Sequence, residues 1–203
     1  ADDFEPRRLT PHMKIARQIM GDIVAATPKA VARFYLEGNH EDWLRQALVA
    51  KIPELADIGD LLPDGIDLDV PTLLNLRKWG FEYFPVNNLL KLGLAYFTHG
   101  LYTGEHHAKK HLSVLKVNIF YGHQHDSQSF VDTGVTGLLE AHSCGCLSKL
   151  DAKFMRGKPT RFVHAFGIWE FFRDGSYSFL KPRIQQGRFS INGTVFDGTK
   201  VQT

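Results

Sequence analysis

Histidine and asparagine side chains recur in three short blocks between residues 38 and 125. The blocks are Gly38-Asn39-His40-Glu41, Thr98-His99-Gly100 and Gly122-His123-Gln124-His125. Imidazole nitrogens and a carboxamide oxygen suit Mn, Fe, Zn, Co or Ni better than Ca. One histidine after a strand is more often a hydrogen-bonded loop residue, but three such blocks together predict a metal centre. Its ligands would be Asn39, His99, His123 and His125.

Each block follows an apolar run that is typical of a buried strand. The runs cover residues 31–36, 92–97 and 117–121, and they are rich in aromatic and β-branched residues. Open α/β sheets bind their ligands at the carboxyl ends of their strands. We therefore expect the three blocks at one edge of a sheet. In the last block, alternate residues of an extended segment would point the same way, so His123 and His125 would face one space.

The three blocks resemble the last three motifs of the calcineurin-like metallophosphoesterases, over about residues 30–150. The resemblance implies an α/β fold, a four-layer α/β/β/α sandwich lacking its first strands, in one domain over residues 1–203. Two further family motifs, Asp-x-His and Gly-Asp-x-x-Asp, are not found, and we expect them upstream of Ala1. Gly21-Asp22 imitates the second motif but lies in a predicted helix, and Asp2 and Asp3 follow no strand.

By this resemblance the chain works with two divalent metal ions, with Mn favoured. Asn39, His99 and His123 would bind one ion and His125 the other. His40 would donate a proton to the departing alkoxide or hold a phosphate oxygen, roles that suit an imidazole because it titrates near neutral pH. Glu41 would cap the following helix or hold His40.

The function implied is hydrolysis of a phosphomonoester or a phosphodiester. A net charge of +2 and the pair Lys109-Lys110 favour a phosphodiester such as a nucleotide. A second hypothesis is a non-catalytic binding or scaffold protein on a truncated phosphoesterase fold. A third is an amidohydrolase, but there His-x-His stands on the first strand of a barrel, whereas here it comes late and Gly-Asn-His has no place.

A helix is predicted between the second and third blocks, over residues 106–115. Most of its polar residues, which include His106, Lys109, Lys110 and His111, would form a solvated basic face. His107 stands near the helix start, where backbone N–H groups attract anions. We expect His107 to bind the substrate phosphate.

The rest of the chain predicts alternating helices and strands, then a β-rich end. Helices are expected at residues 10–26, 42–50 and 71–79, and a mainly helical and loop insertion at 52–80. Asn87-Asn88 would form a hairpin between a strand at 81–84 and one at 89–97. Hairpins at 173–176 and at Asn192-Gly193 would complete a second sheet.

Composition places few limits on function. The chain has 203 residues, 43 % of them apolar and 23 % charged, as in ordinary globular domains. Its +2 charge is too small to argue for nucleic acid as a partner, and no apolar run reaches membrane-spanning length. Cys144 and Cys146 are too close together to staple a fold and favour a reducing compartment, by default the cytoplasm. The family resemblance puts His142, Cys144 and Cys146 near the site rim.

Overall fold

The structure, a computed structural model, describes residues 9–51, 69–135, 137–151 and 157–200. The protein is of the α/β class. Its contacts divide it into two compact units, Ala1–Val86 and Asn87–Thr203, where the sequence predicted one domain. The three histidines of the expected metal centre belong to the second unit, and Asn39 and His40 belong to the first.

The first unit pairs two strands in parallel against helices. Its described elements are α1 (Leu9–Ala26), β1 (Arg33–Leu36), α2 (Asn39–Lys51), α3 (Val70–Leu73) and β2 (Phe81–Phe84). Val70, Leu74 and Leu76 form its buried core, and the residues that pack against this core are Met13, Ala16, Met20, Tyr35, Phe81 and Tyr83. The side chain of Asp69 caps α3 by accepting a hydrogen bond from Thr72 N–H at 2.8 Å.

The predicted hairpin at Asn87-Asn88 is wrong. Strand β2 pairs with β1 in parallel, with Arg33 opposite Phe81, and not with the segment that follows Asn88. Residues 89–97 are not one strand either, because the chain reverses at Gly93-Leu94, with Gly93 at a φ of 55°. The parallel partner of β2 lies about fifty residues away in sequence, and local turn signals carry no information about it.

The second unit is built on a five-stranded mixed sheet. Its elements are β3 (Leu90–Leu92), β4 (Ala95–Thr98), α4 (His107–Leu115), β5 (Asn118–Tyr121), β6 (Ser129–Gly134), β7 (Gly137–Ser143), β8 (Ile168–Phe171), β9 (Tyr177–Leu180), β10 (Arg188–Ile191), β11 (Thr194–Asp197) and a 3-10 turn (Gly198–Lys200). The strand order is β3-β4-β5-β7-β6, with β4, β5 and β7 parallel to one another.

The two faces of this sheet are covered differently. Helix α4 packs Ala108 and Leu112 against Ile119, Tyr121 and Ala141. On the opposite face an aromatic cluster joins the sheet to the hairpin β8–β9, whose Trp169 and Phe179 rings lie 5.1 and 4.7 Å from the ring of Phe120. Both faces of β5 are therefore buried, as its apolar sequence predicted.

Several sequence predictions for the remaining elements are confirmed. They are the first helix, which ends at Ala26, strand 81–84, and the hairpins β8–β9 and β10–β11. Helix α2 begins three residues before the predicted start, at Asn39. The two hairpins form separate two-stranded sheets in the part of the chain that is described, rather than one second sheet. Most of the predicted insertion, residues 52–68, lies outside the described residues, and 71–79 is one helical turn followed by turns.

Candidate metal centre

Three parallel strands bring the site loops of the second unit to one edge of the sheet. His99 follows β4, Gly122–His125 follows β5, and Cys144 follows β7. Backbone hydrogen bonds hold these ends together: Gly122 N–H donates to His99 O at 2.9 Å, and Cys144 N–H donates to Tyr121 O at 2.8 Å. The predicted convergence of the second and third blocks is confirmed in this unit.

The imidazoles of His99 and His123 face each other at this edge. His99 Nε2 lies 3.2 Å from His123 Nδ1, and the two ring centroids are 5.1 Å apart at an interplanar angle of 66°. Both side chains are half-buried. At this distance the two nitrogens form a hydrogen bond, in which one of them donates a proton. With that proton moved away, both are borderline donors of the kind that Zn, Mn or Fe take from proteins.

The backbone of the third block is left-handed, not extended. His123 and His125 have φ values of 64° and 60°, and Gln124 N–H donates to Gly122 O at 2.7 Å. The sequence expectation of an extended His-x-His segment is thus wrong, because β5 ends at Tyr121 and the chain turns at once. Histidine is uncommon at positive φ, and such strain is held where the surrounding structure determines it.

His125 stands beside a cavity of about 300 Å³. The ring of Phe162 packs edge-on against the His125 ring at 4.6 Å, and Val163 N–H donates to His125 O at 2.8 Å. Gln124, Arg161 and Phe162 line the cavity. The carboxylates of Glu105 and Asp126 line it as well, so the Arg161 guanidinium is a positive group in a cavity of mixed charge.

Asn39 and His40 form the first turn of α2 in the first unit. Asn39 is half-buried and His40 is exposed, with its ring 4.7 Å from that of Trp43. His40 and Glu41 line an apolar cavity of about 210 Å³ in that unit. Glu41 accepts a hydrogen bond from Tyr35 OH at 2.7 Å, and burial together with this carboxylate raises the pKa of Tyr35.

His107 lies in the core, not at a surface open to a phosphate. Its side chain is 1 % exposed; Nδ1 lies 2.6 Å from Tyr121 OH and Nε2 lies 2.9 Å from Asp126 Oδ2. Asp126 in turn accepts a hydrogen bond from Ser143 Oγ at 2.8 Å. In this structure His107 anchors the residue that directly follows His125, and its role as a substrate ligand stays a prediction.

His111, one turn further along α4, is buried as well, so its expected place on a solvated basic face is wrong. His111 Nε2 accepts hydrogen bonds from the backbone N–H groups of Leu101 and Tyr102 at 3.0 and 3.3 Å. Burial lowers the pKa of His111, which keeps that nitrogen available as an acceptor. One helix therefore holds both loops that carry the candidate ligands.

Sequence reasoning missed Asp126, Tyr121 and Ser143 as supports of the site. One signal could have found Asp126: a carboxylate directly after a His-x-His block, which is 8 % exposed in the structure. Two cysteines follow β7 at the same edge of the sheet. Cys144 and Cys146 are unbridged, and burial raises the pKa of Cys144 to about 11, which keeps its thiol protonated at neutral pH.

The donor set fits a divalent transition metal only in part. His99 and His123 supply two imidazoles at ligand-like separation, and His125 follows two residues later. Within the described ranges no group of three or more His, Cys, Asp or Glu side chains converges on one point. Comparisons with models of protein families, with curated proteins and with solved structures find no match.

Proposed function

We propose that this protein is a metal-dependent phosphoesterase of the calcineurin-like metallophosphoesterase type, with the four-layer sandwich of that family. The observation that carries the proposal is the pair of facing imidazoles, His99 Nε2 and His123 Nδ1, 3.2 Å apart at the shared edge of β4 and β5. Backbone hydrogen bonds and α4 hold the two loops that carry these histidines.

In the second unit the proposed ligands are His99 and His123 for one divalent ion and His125 for a second ion, with Mn favoured, and the ligand role of Asn39 stays a prediction from the sequence. Bound divalent ions acidify a water and stabilise charge on the phosphoryl oxygens. His40 is the proposed proton donor to the departing alkoxide. It is exposed at the start of α2 and lines a cavity of about 210 Å³, so it can meet a leaving group from solvent.

Arg161 is the residue that would bind the phosphate in this proposal, although the carboxylates of Glu105 and Asp126 line the same cavity. Arg161 lines the cavity beside His125, and a guanidinium can bind two phosphoryl oxygens at once. Phe162 lines the same cavity with an aromatic ring, which favours a planar leaving group and hence a phosphodiester such as a nucleotide. The proposed compartment is the cytoplasm, where Cys144 and Cys146 would stay reduced.

The direct test is hydrolysis of bis(p-nitrophenyl) phosphate by the full chain in Mn²⁺. We expect His123→Ala to lower the rate more than about 100-fold, because even supports outside the ligand shell cost about 10–100-fold when removed. The matched control is His164→Ala, which removes another half-buried histidine, bonded to Ser148 O at 2.6 Å, and should keep the rate. Equal rates in the two variants would refute the proposal. No turnover by the parent protein would favour the non-catalytic binding protein.

A further inference from the structure

A second cluster of reactive side chains lies on strands β6 and β7. Glu140 and His142 stand two residues apart on β7 and therefore share one face of the sheet. Ser129 lies opposite His142 in the antiparallel register of β6, so its side chain shares that face as well. Pairing of the strands alone thus brings a hydroxyl, an imidazole and a carboxylate together.

The three groups form a chain of short hydrogen bonds. Ser129 Oγ lies 2.8 Å from His142 Nδ1, and His142 Nε2 lies 2.7 Å from Glu140 Oε2. Tyr177 OH donates to the other oxygen of Glu140, also at 2.7 Å. Since a carboxylate only accepts, the proton of the imidazole is on Nε2, and the lone pair of Nδ1 is directed at the serine hydroxyl.

The surroundings hold the imidazole and leave the hydroxyl open. His142 is 9 % exposed, and its ring is stacked on Phe120 at a centroid distance of 5.3 Å and an interplanar angle of 8°. Ser129 is exposed to solvent. A hydrogen bond from His142 lowers the pKa of Glu140, which keeps this carboxylate charged. The base is thus fixed in one orientation while the nucleophile remains accessible.

An ammonium group stands next to the hydroxyl. Lys181 Nζ donates to Ser129 Oγ at 3.2 Å and to Ser143 O at 3.0 Å. Because an ammonium group only donates, Ser129 Oγ accepts from Lys181 with one of its two lone pairs, and its own proton is left for His142 Nδ1. The ammonium group also places a positive charge beside the atom that would attack the ester.

We propose that Ser129, His142 and Glu140 form a second, metal-independent site that transfers acyl groups from small carboxylic esters. Ser129 Oγ bonds to the ester carbonyl carbon while its proton moves to His142 Nδ1. The bond from that carbon to the alkoxy oxygen then breaks, and the alcohol leaves with this proton. Water repeats the attack on the acyl-serine, which releases the carboxylic acid and returns the proton to Ser129. Ser129 and His142 are the catalytic residues, and Glu140 positions the imidazole.

The test treats the full chain, kept in excess EDTA, with a fluorophosphonate probe and maps the adduct by mass spectrometry. Attack by Ser129 forms a phosphorus–oxygen bond, expels fluoride and passes the proton to His142. We expect one adduct, on Ser129, and none there in Ser129→Ala. His142→Gln should label about 100-fold more slowly, since general-base catalysis contributes at least about that factor. The matched control is Ser190→Ala, an exposed strand serine whose loss should leave labelling unchanged.

A further variant covers the case in which His142→Gln does not fold. Glu140→Gln keeps the volume of the side chain, and it should lower the maximal rate of labelling without changing the probe concentration that gives half of that rate. Labelling spread over other serines, no labelling, or equal maximal rates in parent and Glu140→Gln would each overturn the proposal. Because EDTA removes divalent ions, this result is independent of the phosphoesterase proposal.

Discussion

Gly100 shows how closely the backbone approaches the facing histidines. It has a φ of 133°, and a Cβ atom at this position would lie 2.8 Å from His123 Cβ. Glycine adopts positive φ without a steric penalty, whereas any other residue here is strained and also displaces His123. The Thr-His-Gly block therefore ends in glycine because the next loop needs the space.

We predict that Gly100→Ala lowers the free energy of unfolding and weakens metal binding. The matched variant is Gly104→Ala, whose φ of 109° is also positive but whose Cβ would meet no atom within 4 Å. Both variants carry the strained backbone, so the extra loss in Gly100→Ala measures the contact with His123, about 1–3 kcal/mol by denaturant unfolding. Equal losses in both variants would mean that the loop does not press on His123.

The apolar runs before His99 and His123 predicted that these two residues lie at one sheet edge, whereas the charged pattern around His107 and His111 did not predict their burial. His99 and His123 were found because they follow apolar strands. His111 was expected on a solvated basic face because it stands among lysines, and His107 was expected to bind the substrate phosphate near the helix start. Their burial follows from tertiary contacts to Asp126 and to the loop at Leu101, which lie outside the helix. Helical periodicity can indicate which face of a helix is buried, but it cannot show that a histidine takes the place of an apolar residue on that face.

At the scale of elements, α4 is the support of the site. His111 is 0 % exposed and neutral, because burial lowers its pKa below the usual value. The unfolded chain binds a proton at this histidine at a higher pH than the folded chain does. The contribution of neutral His111 to the free energy of unfolding is therefore fully present above about pH 6.5, the usual histidine pKa. It is lost as the pH falls below that value.

The prediction is a drop in unfolding free energy between pH 7.5 and 5.5 that is smaller in His111→Gln. The glutamine carbonyl can still accept from Leu101 N–H, but it does not titrate. In His111→Gln the slope of unfolding free energy against pH should be smaller than in the parent protein by at most about 1.4 kcal/mol per pH unit, the value for one proton. His106→Gln, which replaces an exposed histidine at the start of the same helix, is the control and should keep the slope. A slope unchanged in His111→Gln would contradict the account.

Elements with local signals were predicted, and elements with distant partners were not. The turns at 173–176 and at Asn192-Gly193 identified their hairpins because a turn and its two strands are contiguous in sequence. The pairing of β1 with β2 was missed because a parallel partner needs a long crossover that leaves no mark at the strand itself. The same limit explains why β1 was expected in one sheet with β4 and β5, although it pairs in a different sheet.

At the scale of the whole molecule, contacts divide the chain into two compact units, Ala1–Val86 and Asn87–Thr203, and the single domain stays a prediction. No helix among the described residues is both long and apolar enough to cross a membrane. The composition, with 24 basic and 22 acidic side chains, gives no strong field to select a charged macromolecule. The proposed function therefore rests on a local feature, the facing imidazoles of His99 and His123 in the second unit.

The measurement that tests the central claim most directly is metal content per chain after equilibrium dialysis against Mn²⁺. We expect at least one ion per chain in the parent protein and in His164→Ala, and less than about a tenth of that in His123→Ala, because a site that loses one of its few ligands cannot hold the ion. The account is contradicted if the parent protein binds no Mn²⁺, or if all three proteins bind the same amount.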